Sequence, residues 1–349
     1  MQKDFHYCLI KVLTQKSGFS PEDAQIIAYA SQYTDDAVEY LPLRIKNLPD
    51  LDFKKRVDGE YFDPICTAHR GIEYITGIFK DVQRKVYISF HFLPSLKYEG
   101  AGRYNYCCVP DGSLARLLIQ QASDKINTVK KEKRTRKLIQ LGIALHTYAD
   151  NWSHQRFSGR RSARDNDVER IHIFKGNDFE PLPFFDQLKL NILPDVGHAE
   201  TFNLPDLSHL RWKYEHDESG FEYVRDNMTI FLEAAFAIFK VLCGANKQSD
   251  NWKSLVNKIK ECFSIPSDSI KRKFQKYTEL FPEITFNYSE DDWRNQALKG
   301  ESFDWINFEK EDYKAQTYKF NGDMKWFYFH MAAYDQRLFA IKNIREDLL

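Results

Sequence analysis

The sequence has little of several features that would assign a function quickly. Its 50 basic and 50 acidic side chains cancel and its pI is near 7.1, so no overall field favours nucleic acid or an anionic membrane. It shows no apolar run of the kind that crosses a bilayer, and its start, MQKDFHYCLIKVL, is too short and too interrupted for a signal peptide. These absences predict no transmembrane segment and a cytoplasmic protein or a mature form.

The common catalytic motifs are also missing. No H-E-x-x-H, phosphate-cradling glycine loop or G-x-S-x-G is present, and His216-Asp217 lacks the apolar helix that a His-Asp phosphohydrolase dyad needs. The cysteines show no C-x-x-C spacing and mostly stand in apolar text, which favours reduced thiols over zinc ligands or a disulfide framework. There are six of them: Cys8, Cys66, Cys107, Cys108, Cys243 and Cys262.

What the sequence does contain is ample material for a core. The 349 residues are 43% hydrophobic and 15% aromatic, with no internal repeat and no low-complexity linker. We predict a single domain over 1–349 of the all-α class with a few short strands. An irregular loop region is expected at about 157–215 and a helical C-terminal part at about 219–349.

Periodicity and capping signals place the predicted elements. Asp4 is a plausible N-cap of a helix that Gly18 ends, and Ser20 with Pro21 begins a second helix that runs to Asp35-Asp36. Residues 85–94 begin with alternating polar and apolar side chains, which indicates a strand. Residues 41–66, rich in prolines and charges, indicate a surface loop with short strands. The further helices are predicted from Asp111-Gly112-Ser113 to about Lys125 and at Phe221–Cys243, Trp252–Phe263, Ser267–Phe281 and Asp323 to about Arg345.

The most informative stretch is LIQLGIALHTYADNWSHQRFSG, from Leu138 to Gly159. His146, Asp150 and His154 recur at four-residue intervals, and each such step turns an α-helix by about 40° and rises by about 6 Å, so they share one stripe. Burying two imidazoles and a carboxylate in an apolar helix is costly unless something pairs with them. Neutral imidazoles and carboxylates are ligands of zinc, so the stripe favours half of a polynuclear metal site over plain hydrogen bonding to other helices.

Other acids and histidines are weaker candidates. Asp35 and Asp36 stand at a helix C-terminus, where they oppose the dipole, so a cation or a solvated turn explains them equally well. His91, between two phenylalanines, is as consistent with a core histidine as with a ligand. The remaining candidates are His6 in the first helical turn and His198, Glu200 and Asp206 in the loop region.

These residues carry a resemblance. HTYADNWSHQRFSG, with DFHY, SQYTDDA, FHFLP, GH, LPD, W-x-Y and RDN, resembles a bacterial family of domain-of-unknown-function type, and the pattern spans most of the chain. At a greater distance the order of histidines and acids resembles the zinc-dependent phospholipase C and single-strand nuclease fold. That resemblance implies a mostly helical domain holding three zinc ions that activate water against a phosphoester.

The resemblance also implies a ligand set. One ion takes Asp35 or Asp36 with His91, His146 and Asp150. A second takes His6 with Asp150 as the bridge. A third takes His154, His198 and either Asp206 or Glu200, and His69 could replace one of these ligands. The sequence departs from the family where Met1 precedes His6 by five residues, since secreted members use a processed N-terminal tryptophan as a ligand.

We therefore expect a zinc-dependent hydrolase of phosphoesters, either phospholipase C-like or nuclease-like, acting on a small-molecule, lipid-headgroup or nucleotide phosphoester. Asp150 would bridge two ions, and Asp35 or Asp36 would accept the proton of the attacking water. The cations that could hold phosphate are Arg103, Arg156 and Arg225. Two alternatives stay open: a non-catalytic, metal-stabilised helical interaction protein, and a metal-dependent amide or ester hydrolase.

Overall fold

The described part of the chain contains helices and two β-sheets, so the fold is mixed α/β and the all-α prediction is wrong. The computed structural model describes residues 1–48, 57–58, 61–69, 79–95, 106–124, 126, 128–182, 197–215, 221–246, 252–266, 269–300 and 317–344. Three of the strands lie within 41–66, where short strands were predicted, whereas the others were missed because they are short and carry charged side chains.

The helices are numbered in chain order. α1 has a π-helical part, Asp4–Leu9, and an α-helical part, Ile10–Lys16; α2 is Pro21–Asp36; α3 joins Lys80–Val82 to a π-helical part, Gln83–His91. α4 is Ser113–Ser123, α5 is Lys131–Ser153 and α6 is Ala163–Asn166. α7 is Asn227–Asn246, α8 is Trp252–Phe263, α9 is Ile270–Leu280, α10 is Asp292–Ala297 and α11 is Lys325–Asn343.

The strands form two separate sheets. β1 (Leu43–Lys46), β2 (Val57–Asp58), β3 (Tyr61–Phe62), β8 (Leu298–Gly300) and β9 (Thr317–Phe320) form a mixed sheet of order β2-β3-β1-β9-β8, in which β1 and β9 are parallel. β4 (Glu169–Lys175), β5 (Asp178–Pro181), β6 (Arg211–Glu215) and β7 (Glu222–Asp226) form an antiparallel sheet of order β5-β4-β6-β7.

The central helix is α5, which contacts α2, α3, α4, α7 and α11. Leu141 and Leu145 face one apolar cluster, formed with α1, α4 and α7, whereas Ile139 and Ile143 face another, formed with α2 and α11. The helix is buried on two apolar faces because its hydrophobic residues repeat with helical spacing. His146 and Asp150 continue the face of Ile139 and Ile143 towards the C-terminal end of the helix, and both are buried.

Gly142 lets α2 and α5 approach closely. A Cβ at this position would lie 2.3 Å from the carbonyl oxygen of Ile27 and 2.6 Å from Cβ of Ala30, both on α2. One turn beyond Gly142 stands His146, and beyond Ala30 on α2 stands Asp35. The absence of a side chain at Gly142 therefore helps to bring the acid of one helix to the histidine of the other.

Three local predictions are wrong. The alternating text at 85–94 is helical up to His91 and not a strand, because Val86, Tyr87, Ile88 and Phe90 are all buried and an apolar run buried on all sides fits a helix as well. The supposed loop region at 157–215 contains three of the strands, β4, β5 and β6. The predicted helix at Phe221–Cys243 begins only at Asn227, after the strand β7.

Other boundaries agree more closely with the sequence. Ser20 accepts a hydrogen bond from the amide of Asp23 and Pro21 begins α2, as predicted, and Gly18 at φ 94° follows the end of α1. Asp4 lies inside the first turn of α1, with Lys3 at the N-cap. α5 ends at Ser153, so His154 stands at its C-cap instead of within the helix. Lys125 and Arg345 lie outside the described residues.

Helix α7 has the length and composition of a membrane-spanning segment over Asn227–Gly244, which the sequence analysis overlooked. In the structure 44% of this window is buried, and Phe231, Ile238 and Phe239 belong to the main apolar cluster. A core helix passes the same test of length and composition, so this single segment is weak support for a membrane span.

We expect Gly142→Ala to lower the free energy of unfolding by about 1 to 3 kcal/mol, because the new methyl group would overpack the contact with α2. The matched control is Gly244→Ala on α7, where a Cβ would meet nothing within 4 Å. This control should be neutral or gain up to about 1 kcal/mol from helix propensity. Urea unfolding of both variants measures the difference, and an equal gain in both would contradict the close approach.

Candidate metal centre

Asp150 lies at the centre of a cluster of buried acids and imidazoles. Its side chain is 2% exposed, and Oδ1 lies 3.1 Å from Nε2 of His6. Oδ2 lies 3.1 Å from Nδ1 of His91 and 3.2 Å from Nε2 of His146. The two carboxylate oxygens therefore face different histidines, which is the geometry that a bridging role needs.

Asp35 joins the cluster from the last turn of α2. Its Oδ1 lies 3.6 Å from Nε2 of His146 and 3.8 Å from Nδ1 of His91. The side chain of Asp35 is 32% exposed, whereas that of His146 is fully buried, so the cluster opens to solvent on the side of Asp35.

A second group lies beyond the C-terminal end of α5. Nε2 of His154 lies 3.3 Å from Oδ1 of Asp206, and Nε2 of His198 lies 3.4 Å from Oδ2 of the same carboxylate. The 3-10 turns Ala199–Thr201 and Leu204–Asp206 bring the acid back towards His198. His154 is also linked to the first group, since its Nδ1 lies 3.9 Å from Oδ2 of Asp150.

Backbone carbonyls fix the orientation of three of these rings. Nε2 of His91 lies 2.9 Å from the oxygen of Thr67, Nδ1 of His154 lies 2.9 Å from the oxygen of His91, and Nδ1 of His198 lies 2.6 Å from the oxygen of Phe202. Because a carbonyl oxygen can only accept, each of these ring nitrogens carries the hydrogen. In the neutral ring the other nitrogen then presents a lone pair to the acids, as it does in histidines that bind metals.

The second group therefore brings lone pairs to a carboxylate. Burial lowers the pKa of His198 to about 4, although Asp206 opposes the shift, so this ring is neutral near pH 7. Burial would raise the pKa of Asp206, but the Met1 amine and His198 hold it well below its usual range. A neutral ring nitrogen and an ionised oxygen facing each other at 3.4 Å repel unless a cation lies between or beside them.

The first group likewise places histidine rings beside an ionised, buried carboxylate. Burial, with the neighbouring His146, lowers the pKa of His6 to about 4. Burial would raise the pKa of Asp150, but the Met1 amine and the neighbouring imidazoles lower it well below its ordinary value. The pKa of His91 is raised, since its contacts with Asp150 and Asp35 outweigh burial.

The α-amino group of Met1 was missed by the sequence analysis. It is fully buried and lies 2.7 Å from Oδ1 of Asp150, 2.9 Å from Oδ1 of Asp206 and 3.2 Å from Oγ of Ser153. Burial alone would lower the pKa of this amine, but the carboxylates of Asp150, Asp206 and Asp35 raise it to about 11. The amine is therefore a cation that links the two groups. In the sequence, only the spacing between Met1 and His6 could have indicated that the amine lies near the cluster.

A buried ion pair anchors the same N-terminal turn. Nζ of Lys273 on α9 lies 3.3 Å from Oδ2 of Asp4 and donates to Oε1 of Gln2 at 2.8 Å, and the side chains of Lys273 and Asp4 are 0% and 1% exposed. The ring of His6 stacks on that of His146 with centroids 3.9 Å apart. These contacts fix α1 so that Met1 and His6 both face Asp150.

Not every predicted residue joins the cluster. Asp36 lines the same cleft, but its carboxylate accepts from Tyr288 and from Gln32 at 3.3 Å and lies 3.9 Å from Nζ of Lys3. His69 also lines the cleft, with its Nε2 4.0 Å from Sγ of Cys66, and it belongs to none of the groups that could hold an ion.

The two predicted phosphate-binding arginines that the structure describes, Arg156 and Arg225, are not among the lining residues of the cleft. Arg225 is buried and donates to the carbonyl oxygens of Gln155 and Ser153, at 3.1 Å and 2.6 Å. The guanidinium of Arg156 lies over the ring of Tyr223, 4.1 Å from its centroid. Arg103, the pair His216-Asp217 and the side chain of Glu200 lie outside what the structure describes.

The donor set fits divalent ions. The residues form three groups, His6 with His146 and Asp150, Asp35 with His91 and His146, and His154 with His198 and Asp206, and the ligand atoms of each lie within 4.8 Å of one another. Nitrogen and oxygen ligands at such spacing suit zinc and related transition metals. His146 and Asp150 are shared or adjacent, so the groups form one continuous cluster.

Fold and site together define a mixed α/β protein with a buried histidine and aspartate cluster suited to metal ions. The chain belongs to a family described as "Family of unknown function (DUF6765)", whose model matches residues 1–344, nearly the whole length. This confirms the resemblance to a domain-of-unknown-function family. No curated protein and no solved structure was found to match the chain.

We expect the purified protein to bind more than one equivalent of a transition metal, with zinc favoured, because the ligands outnumber what one tetrahedral ion can use. An ion that binds only the folded state at 100 times its Kd adds about 2.7 kcal/mol of stability, so chelation should lower the Tm. Metal analysis and thermal melts with and without chelator measure both effects. Less than about half an equivalent, with no stabilisation by added zinc, would refute the metal centre.

Asp150→Asn should reduce the metal content by more than one ion, because one carboxylate faces both His6 and the pair His91 and His146. His198→Ala should remove one ion, since this ring reaches only Asp206. The control is His172→Ala, whose ring lies on strand β4 and contacts the carbonyl oxygen of Arg170. Unchanged stoichiometry in Asp150→Asn would show that this acid serves only hydrogen bonds.

Proposed function

We propose that the chain is a metal-dependent hydrolase of phosphoesters, with zinc the favoured ion. The proposal rests on one observation: several histidine ring nitrogens, oriented by backbone carbonyls, point their lone pairs at buried carboxylates. The neutral ring of His198 and the ionised Asp206 face each other with the ring hydrogen committed to Phe202. The Met1 amine, 2.9 Å from Oδ1 of Asp206, offsets part of the negative charge, and divalent cations that share the ring electron pairs would offset more of it.

The cleft is large enough for a small substrate group. Its volume is about 310 Å³, at the lower end of ligand pockets. Its described lining includes the acids of the cluster and three of its histidines, His91, His154 and His198. Divalent ions bound there would supply Lewis acidity towards a water and a phosphoryl oxygen. The protein's own part is to hold them, to orient the rings and to accept a proton.

Asp35 is the best placed proton acceptor. It is the most exposed acid of the cluster, at 32%, and lies on the open side of the cleft. The carboxylate of Asp36 is occupied by Tyr288 and Gln32, so this neighbour is less suited to take a proton from an attacking water. A carboxylate acting in this way contributes about 10²- to 10⁴-fold to a rate.

The charge of the cleft would favour an anionic substrate only if several metal ions bind there. Four carboxylates line the cleft, those of Asp35, Asp36, Asp150 and Asp206, and no Lys or Arg side chain is among its described lining residues. Three divalent ions would carry six positive charges and leave a net positive site. Phosphate would then be held by the ions and by neutral donors of the chain instead of by arginines.

The same observation favours a second candidate. A metal-dependent ester or amide hydrolase needs no cation for a phosphate, and the described part of the cleft offers none on a side chain of Lys or Arg. Both candidates would use the same metal ions. They differ in the atom that water attacks, which is phosphorus in a phosphoester and the carbonyl carbon in an ester or amide.

The test is a substrate panel of phosphodiesters, phosphomonoesters, carboxylic esters and amides, offered to the protein reconstituted with zinc. We expect phosphoesters to be hydrolysed, and we expect both chelation and Asp150→Asn to abolish the activity. Hydrolysis of carboxylic esters alone would favour the second candidate. No hydrolysis of any substrate by fully metal-loaded protein would leave a structural metal centre and refute both.

A further inference from the structure

Two cavities of the described structure meet at one residue. The cleft of the cluster, about 310 Å³, and a larger cavity of about 740 Å³ share His69 in their linings, and no other described residue lines both. The larger cavity lies between the segment around residues 63–69, the start of α3 and the last turns of α11. His69 thus stands where a molecule held by both cavities would pass from one to the other.

The larger cavity is suited to an apolar group. Pro64, Val82, Val86 and Ile341 line it, and at its rim Tyr40, Phe79 and Leu338 are 55%, 59% and 42% exposed. Large exposed hydrophobic residues gathered around a concavity are typical of binding sites.

The polar side chains of this cavity are engaged with one another or with the backbone. Nζ of Lys85 lies 2.8 Å from Oδ2 of Asp81. Arg337 donates to the carbonyl oxygens of Lys85 and Cys66, at 2.9 Å and 2.8 Å. The charge of Lys85 is therefore balanced locally, and the cavity offers an apolar surface to an occupant.

Few side chains of the cleft can donate a proton to a substrate. Apart from the three ligand groups, Met1 and Asp36, the described lining consists of Ala68, His69, Tyr87 and Phe92. Of these four only His69 and Tyr87 carry a donor, and a protonated imidazole is a much stronger acid than a phenol. Their rings are neighbours, with centroids 6.2 Å apart.

Resting on the proposed function, we propose that His69 is a catalytic residue that gives its proton to the leaving oxygen of a phosphoester whose apolar alcohol lies in the larger cavity. The oxygen of a water forms the new bond to phosphorus, and the bond from phosphorus to the leaving oxygen breaks. The electron pair of the broken bond stays on the leaving oxygen, which takes the proton of the imidazolium. The water gives its proton to Asp35, and exchange with solvent restores both residues.

The first test compares leaving groups. His69→Gln keeps a polar side chain but cannot act as an acid, so kcat/KM for an alkyl phosphodiester should fall about 10²- to 10⁴-fold. For a 4-nitrophenyl phosphodiester, whose leaving oxygen is a weak base, the loss should stay within about tenfold. His172→Gln on strand β4 is the control and should change neither. Equal losses on both substrates would overturn the role of His69 as an acid.

A second readout does not depend on turnover. The metal content of His69→Gln should equal that of the parent, because His69 belongs to no ligand group, and a lost ion would show that His69 is a ligand and overturn the proposal. Calorimetry should show that hexylphosphonate binds the metal-loaded protein at least about tenfold more tightly than methylphosphonate. Leu338→Asp should remove this preference, whereas Val224→Asp, exposed on strand β7, should not.

The outcomes separate the two proposals. A parent that hydrolyses no phosphoester refutes the proposed function, whatever the binding data show. A parent that hydrolyses phosphoesters but binds both phosphonates equally, or whose His69→Gln variant keeps its activity on alkyl esters, refutes only the inference about His69 and the apolar cavity.

Discussion

The carboxylate of Asp150, ionised and buried in the last turn of α5, is the constraint on which the rest of the site depends. A charge so placed is tolerated only when oppositely charged or hydrogen-bonding groups surround it. The amine of Met1 and the rings of His6, His91 and His146 all come within 3.2 Å of its oxygens. They arrive from three different helices, so the position of each helix is tied to this one acid.

Packing and backbone geometry then hold the ligands in place. Gly142 allows α2 to approach α5, and the carbonyls of Thr67, His91 and Phe202 set which nitrogen of each ring faces inward. Phe92 stacks on His154 with centroids 4.5 Å apart and limits how that ring can turn. A site oriented in this way needs little rearrangement to receive an ion, because the ring orientations are already those that ligation requires.

The sequence was informative where a pattern is local and less so where it depends on distant packing. The spacing of His146, Asp150 and His154 follows from helical geometry, and Asp35 was recognised because an acid at a helix C-terminus opposes the dipole. The π-helical part of α3 was taken for a strand, since a short apolar run does not distinguish the two. Strand β6 alternates, because Trp212 and Tyr214 are buried between charged neighbours, but it fell within the predicted loop region at about 157–215. The buried amine of Met1 was missed because no side-chain pattern marks a backbone group, although the resembling fold includes members with an N-terminal residue as a ligand.

The candidate ligands are spread along the chain from His6 to Asp206, and this spread has a consequence for biosynthesis. A ribosome adds about 5 to 20 residues per second, so roughly 10 to 40 s separate the emergence of the first ligand from that of the last. The early histidines have no complete partner set during that interval. The full set of candidate ligands therefore exists only after synthesis of the segment that carries His198 and Asp206, so an ion that needs all of them would be captured only after that point.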